Sequence, residues 1–189
     1  MKTSNTPKTR GIEIARASGF TLFEMLITMT IAAILAAIAV PSFRYVTNSN
    51  RISSEVNGLL GDLQFARSEA IKEGKNVSVC MSTGGQTCDT TGNAWNSGWI
   101  VYPNPTGTTI PAAGSILRIQ STFTSTDTFL AAPAYSTITF NREGYAIGVA
   151  NGTLITLHDA TSNSAWTRCL SINLVGQTTT ERANGGTCI

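Results

Sequence analysis

Residues 20–40 read FTLFEMLITMTIAAILAAIAV, an apolar run broken by a single charge, Glu24. Crossing a bilayer as a helix takes roughly 20 predominantly apolar residues. A chain with such a run must place it in lipid or bury it against protein, and this constrains everything downstream. A secretory signal has a shorter apolar core, about 7–15 residues, followed by a small-residue cleavage site; this run is too long for that and holds a carboxylate. A plain membrane anchor fits the length, and the basic residues ahead of it set its orientation, but Glu24 is then unexplained. An ionisable group inside a membrane segment costs about 2.5–3.5 kcal/mol at the helix centre and less near an end, so such groups usually have a partner.

The residues around Glu24 make the pattern specific. Gly19-Phe20-Thr21-Leu22-Phe23-Glu24 resembles the type IV prepilin processing motif. The resemblance implies cleavage after Gly19 by a dedicated prepilin peptidase, methylation of the new N-terminal Phe20, and a fifth mature residue, Glu24, that pairs with the free amine of a neighbouring subunit. A costly buried charge would then set the axial register of bundled helices. The basic leader, the uninterrupted apolar run and Pro41 just beyond it coincide with this motif.

Charge supports a division of the chain. Lys2, Lys8, Arg10 and Arg16 against Glu13 give the first 19 residues a charge of +3; the total is +2, so the remainder carries −1. Sequence-independent nucleic-acid binding draws on Lys and Arg neutralising phosphates. Beyond residue 19 there is no global positive field of that kind, and only a local basic patch could serve.

Beyond Pro41, Ile52, Val56, Leu59, Leu60, Leu63, Ala66 and Ala70 recur at three- and four-residue spacing, while Arg51, Glu55, Asp62, Arg67 and Glu69 mostly fall elsewhere. This is the pattern of an amphipathic helix with one face on a core. Gly74 is placed to cap its C-terminus, and Pro41 predicts a kink. Gly58 and Gly61 weaken the helix by about 1 kcal/mol each relative to Ala and allow a bend or close packing there. A helix over 20–73 would be about 80 Å long at ~1.5 Å per residue, far more than a bilayer needs.

After Lys75 short β-branched and aromatic runs alternate with Gly, Asn and Pro, the signature of antiparallel sheet. Strands are expected at 76–81, 98–102, 115–120, 135–140, 145–150, 153–158 and 167–174. Asn151-Gly152 is a two-residue hairpin signal, and Asn141-Arg142-Glu143-Gly144 offers a slightly longer turn. The fold class is therefore α+β: a 1–19 leader, a 20–41 transmembrane or filament-core helix, a 42–74 amphipathic helix and a 75–189 β-rich head. WNSGWIVY at 95–102 and TFNREG at 139–144 resemble segments of the pilin-like family that contains FimT, FimU and GspH, and the resemblance implies the type IV pilin-like fold.

Cys80, Cys88, Cys169 and Cys188 all lie in the half that would be exported, where disulfides are permitted. Four cysteines allow three connectivities. Sequential pairing is preferred, because Cys80 with Cys88 and Cys169 with Cys188 each close a loop rich in Gly and Thr. Zinc is the competing reading, but neither pair has C-x2-4-C spacing and His158 is the only histidine. His158 has no nucleophile or carboxylate partner at motif spacing, and no phosphate loop or paired-acid pattern occurs, so neither an enzyme nor a cofactor is expected. Trp95, Trp99, Trp166 and Phe140 are expected to pack rather than to form a carbohydrate platform.

The family resemblance implies an inner-membrane protein with a periplasmic head that associates with other pilins. Its expected role is that of a minor pilin in pilus assembly or priming, and in pilus-dependent motility and adhesion. The rival is a GspH-like pseudopilin of a type II secretion system. A third reading is DNA capture, which FimT-like pilins perform through a C-terminal Gly-Arg-x-Arg motif. The corresponding stretch here is Gly176-Gln177-Thr178-Thr179. Both arginines are missing from it, so Arg168 and Arg182 are the remaining candidates and DNA is the least favoured partner.

Overall fold

The computed structural model describes residues 19–108, 110–183 and 188. By internal contacts the chain divides into two units, residues 1–43 and 44–189. A single helix, α1 (Leu22–Glu73), belongs to both.

The helix expected over 20–73 forms as α1, which runs on through Pro41. Proline has no N–H to donate, so the turn before it has one helix bond fewer; an apolar sequence with strong helix formers on both sides carries the helix past the defect. At the far end Gly74 adopts φ +62°, and the Lys75 N–H reaches back to the Ala70 carbonyl at 3.3 Å. This is the left-handed cap that only glycine adopts without cost. Gly58 and Gly61 face open space, so no close packing occurs at either.

Among the described residues, the head-forming unit holds nine strands in two antiparallel sheets where one was expected. They are β1 (Val77–Met81), β2 (Trp99–Pro103), β3 (Arg118–Gln120), β4 (Thr128–Ala132), β5 (Thr137–Phe140), β6 (Ala146–Ile147), β7 (Thr153–His158), β8 (Arg168–Ile172) and β9 (Thr178–Arg182). The first sheet runs β3-β2-β1-β5-β6 and the second β4-β7-β8-β9. The seven expected strands are present, mostly trimmed; the 145–150 segment shrinks to the two residues of β6. β4 and β9 were not anticipated. The Asn141–Gly144 turn closes the β5–β6 hairpin, with the Asn141 N–H on the Tyr145 carbonyl at 2.9 Å.

Asn151-Gly152 does form a tight turn, but not a hairpin. The Thr153 N–H bonds the Ala150 carbonyl at 3.2 Å, while β6 pairs with β5 and β7 pairs with β4 and β8. The turn is the passage from one sheet to the other. A turn signal fixes the local chain reversal, whereas pairing is decided by which faces the flanking residues can bury.

One core joins helix and sheets. Ile52, Val56, Leu59, Leu63, Ala66 and Ala70 of α1 share it with Val79 and Val101 of the first sheet and Phe129, Ile155 and Leu170 of the second. β7 shows the expected period of two, with Thr153, Ile155 and Leu157 buried and their neighbours half-exposed. β1 is buried on both faces. Behind it Cys80, Ile100 and Tyr102 form a second small core, with Cys88 and Ile116 packed against it from the flanking loops. Trp95, Trp99 and Phe140 are core residues, as their aromatic character predicts.

Polar clasps fix the helix to the sheets. Arg51 makes a two-pronged ion pair with Asp127, whose side chain is fully buried, at 2.7 and 2.9 Å. Asp62 accepts the Trp99 indole N–H and an Arg118 N–H, each at 2.8 Å. Arg67 donates to the Gly144 and Val175 carbonyls at 2.9 and 3.0 Å, gripping the β5–β6 and β8–β9 turns together. Gly176 permits that grip, since a side chain there would collide with the Gly144 carbonyl oxygen.

Candidate functional site

Helix α1 starts where the processing motif lies. Gly19 and Phe20 are exposed and precede the helix. Thr21 is its cap: its Oγ1 accepts the Glu24 N–H at 3.2 Å, and its carbonyl accepts the Met25 N–H at 3.1 Å. Thr-x-x-Glu is the spacing of a capping box, a signal in the sequence that had not been read as one. The residues of the motif therefore also fix where the helix begins, leaving the Gly19–Phe20 peptide bond outside it. Glu24 sits in the first turn, where the unpaired N–H groups of the helix favour a negative charge. The rest of the leader, residues 1–18, lies outside the described residues.

From Phe20 onward the apolar side chains are bare. Leu22, Phe23, Met29, Ile34 and Ile38 point to several sides of the helix, and Ile27, the least exposed of the large ones, still shows 42% of its surface. The two polar side chains nearest the centre are internally satisfied: the Thr28 and Thr30 hydroxyls donate to the Met25 and Ile27 carbonyls at 3.0 and 2.8 Å. They bring no unpaired donor into an apolar surrounding, which is what a lipid or a dry helix bundle demands.

The remaining candidates lie in the head-forming unit. Cys80 is disulfide-bonded to Cys88 and Cys169 to Cys188, with Cα–Cα separations of 5.5 and 5.6 Å. His158 shares a 3.1 Å hydrogen bond with the Thr167 hydroxyl, and no group of three potential metal ligands occurs among the described residues. Gly176 and Gln177 fall in the β8–β9 turn and Thr178 and Thr179 on β9.

Arg168 and Arg182 stand opposite each other across β8 and β9. Arg168 is only 7% exposed and donates to the Ala165 and Thr167 carbonyls at 3.1 and 2.9 Å. Burial, and then the facing Arg182, pull its pKa below the ordinary arginine value.

Two family models match this chain. "Prokaryotic N-terminal methylation motif" covers residues 14–40, the end of the leader and the bare part of α1. "Type II transport protein GspH" covers residues 55–176, from the buried part of α1 to the β8–β9 turn. The chain belongs to the GspH family. Among curated proteins no sequence match was found. Two crystal structures of the type IV minor pilin FimU of Pseudomonas aeruginosa share the fold. One is 21% identical with a TM-score of 0.58, covering 74% of this chain and 96% of that one. The other is 18% identical with a TM-score of 0.51, covering 76% and 98%.

This chain thus has a minor pilin or pseudopilin fold, a prepilin-type methylation motif and an apolar helix suited to anchoring it in a membrane. GspH-family members of this fold are structural pilins. The two matched regions divide where the surface of α1 changes from bare to buried, so the family features fall on the same two halves as the physical ones.

Proposed function

We propose that this protein is a minor pilin that helps to prime or cap a type IV pilus. After cleavage following Gly19 and methylation of Phe20, the 20–41 segment leaves the inner membrane for the filament core, and the 75–189 head stays on the periplasmic side. Glu24 of one subunit pairs with the Phe20 amine of its neighbour. Filament-dependent motility and adhesion follow from that role. The observation that carries this reading is the bare apolar helix with one carboxylate in its first turn. In an isolated anchor such a charge does no more than favour the helix start; in a bundle of identical spines it also sets a register.

The description of the matched family, type II transport, favours one rival, a pseudopilin in a short secretion filament. DNA capture has less support, because Arg168 is buried and already hydrogen-bonded, leaving Arg182 as the more accessible of the two candidates.

The test is a count of sheared surface pili in a strain lacking the gene, with retraction blocked, complemented by the natural chain or by Glu24→Val. Loss of pili, restored by the natural chain and not by the variant, supports the pilin role. Normal pili with secreted enzymes retained in the periplasm would shift the reading to secretion.

A further inference from the structure

Two aromatic rings accompany the pair of Arg168 and Arg182. Arg182, the cross-strand partner of Arg168, is exposed. On the strand side of the cluster Trp166 is half-buried and lies against Tyr45 of α1, ring centroids 5.9 Å apart and planes tilted by 52°. Arg44, exposed, precedes Tyr45 on the helix. None of the three guanidinium groups pairs with a carboxylate among the described residues. The Trp166 indole N–H is likewise without an acceptor there.

The nearby acids do not compensate. Asp159 is held in its own loop by the Thr161 hydroxyl and by the Thr161 and Asn163 N–H groups. Glu181 is opposite Cys169 in the pairing, and so on the other face of the sheet from Arg168 and Arg182. The result is a patch with a surplus of donors and positive charge. Like charges directly opposite on a sheet are destabilising, so this arrangement costs the free head stability unless something anionic meets it.

Its place in the chain indicates what that is. Tyr45 follows the apolar run by only five residues, a reach of at most about 18 Å even for fully extended chain. Trp and Tyr beside Arg, just past the end of a membrane-spanning run, are the residue types that settle at headgroup level. Cationic side chains there gain from anionic lipids and lose that gain within a Debye length.

We propose that Tyr45, Trp166, Arg168, Arg182 and Arg44 form a membrane-facing patch that binds the phosphate groups of anionic lipids and seats the head on the bilayer before assembly. The proposal rests on the reading that the 20–41 segment spans the membrane. Arg182 and Arg44 meet the phosphates, Arg168 holds the local potential positive from beneath, and the two rings lie among the headgroups. Entry into a filament would exchange these lipid contacts for protein ones.

The full chain is reconstituted into vesicles of phosphatidylcholine containing shallow-brominated phosphatidylglycerol, or shallow-brominated phosphatidylcholine in its place, and tryptophan quenching is read. Trp95 and Trp99 are 0 and 1% exposed, so quenching reports Trp166, and Trp166→Phe abolishes it. Brominated phosphatidylglycerol is expected to be enriched roughly fivefold over phosphatidylcholine around Trp166, a preference that Arg182→Gln or high salt removes. Equal quenching by the two lipids overturns the proposal. So does the absence of quenching in chains that resist alkaline carbonate extraction, since the anchor then holds while the head stands away. Chains released by carbonate would sink the membrane reading itself. Loss of the lipid preference on adding millimolar inorganic phosphate, or on adding a DNA oligonucleotide, would reassign the patch to a soluble anion or to nucleic acid.

Discussion

The two halves of α1 obey the same backbone rules and meet different surroundings. In residues 22–43 large apolar side chains point to several sides and are exposed, and Glu24 is the only acidic or basic one. In residues 44–73 burial is confined to Ile52, Val56, Leu59, Leu63, Ala66 and Ala70, at steps of three and four, and charged residues occupy other faces. A helix that is apolar all round is built for lipid or for the interior of a bundle, and one with a single apolar stripe for the face of a domain. The point of change, near Pro41 to Arg44, therefore marks a change of solvent within one continuous helix.

The strongest way to break this contrast is to truncate the same residue type in each half. Leu63→Ala removes a fully buried side chain from the core that α1 shares with both sheets and is expected to cost the head about 2–5 kcal/mol. Leu35→Ala, on the bare half, is expected to change head stability by less than about 0.5 kcal/mol while lowering recovery in sheared filaments. Thermal unfolding of the full chain in detergent, followed by near-UV circular dichroism, reads the first effect. Equal losses for both variants would mean that the bare half is part of the head's core.

The sequence shows this contrast well because both signals are periodic and local. The stripe from Ile52 to Ala70, the apolar run and the Gly74 cap are each written in neighbouring residues. What could not be read is what depends on distant ones. β9, TTTER, is an edge strand with no apolar alternation, and β4, TFLAA, is a short Ala-rich strand ending at Pro133. Neither has a pattern that separates it from a loop. The split into two sheets was hidden for the same reason, since Asn151-Gly152 specifies a turn but not the partners of the strands it joins. At the helix start the opposite happened: the capping spacing of Thr21 and Glu24 was in plain view and was masked by the processing motif it overlaps. The pairing of Arg168 with Arg182 required the β8–β9 register, which no local pattern encodes.

A smaller effect separates the two ends of the 44–73 half by their arginines. Arg67 holds the Gly144 and Val175 carbonyls, and Arg67→Ala is expected to cost about 1–3 kcal/mol, because the two turns lose their common donor. Arg44→Ala touches no such clasp and is expected to leave the melting temperature of the chain in detergent unchanged. Hydrogen exchange should show faster opening of residues 144–147 and 173–177 in the first variant alone. Slow exchange there in Arg67→Ala would mean that the Ala146 N–H bond to the Leu174 carbonyl, at 3.0 Å, suffices to join the sheets.

The finest test uses the acids. Glu24 lies on the exposed half; Glu55 lies beside the core, accepting the Ser125 hydroxyl at 3.1 Å on one oxygen while its other oxygen is buried without a partner. Burial raises the Glu55 pKa above the ordinary glutamate value; the Ser125 bond and Arg51 oppose that shift, and Asp127 adds to it. A carboxyl whose folded-state pKa is raised binds its proton more tightly folded than unfolded, so stability falls as pH rises between the two values. The contribution of neutral Glu55 is fully present below the usual glutamate pKa of about 4.3 and is lost as pH passes the raised value. Glu55→Gln keeps the shape and the Ser125 contact without the charge. It is expected to flatten the fall in melting temperature above that point and to leave the variant slightly more stable than the natural chain at neutral pH. Glu24→Gln should leave that profile as it was and act on filament incorporation. If Glu55→Gln instead destabilises the head at neutral pH, the ionised carboxylate is needed there, most directly to hold Arg51 against Asp127, and the buried half of α1 depends on its charges more than its apolar stripe implies.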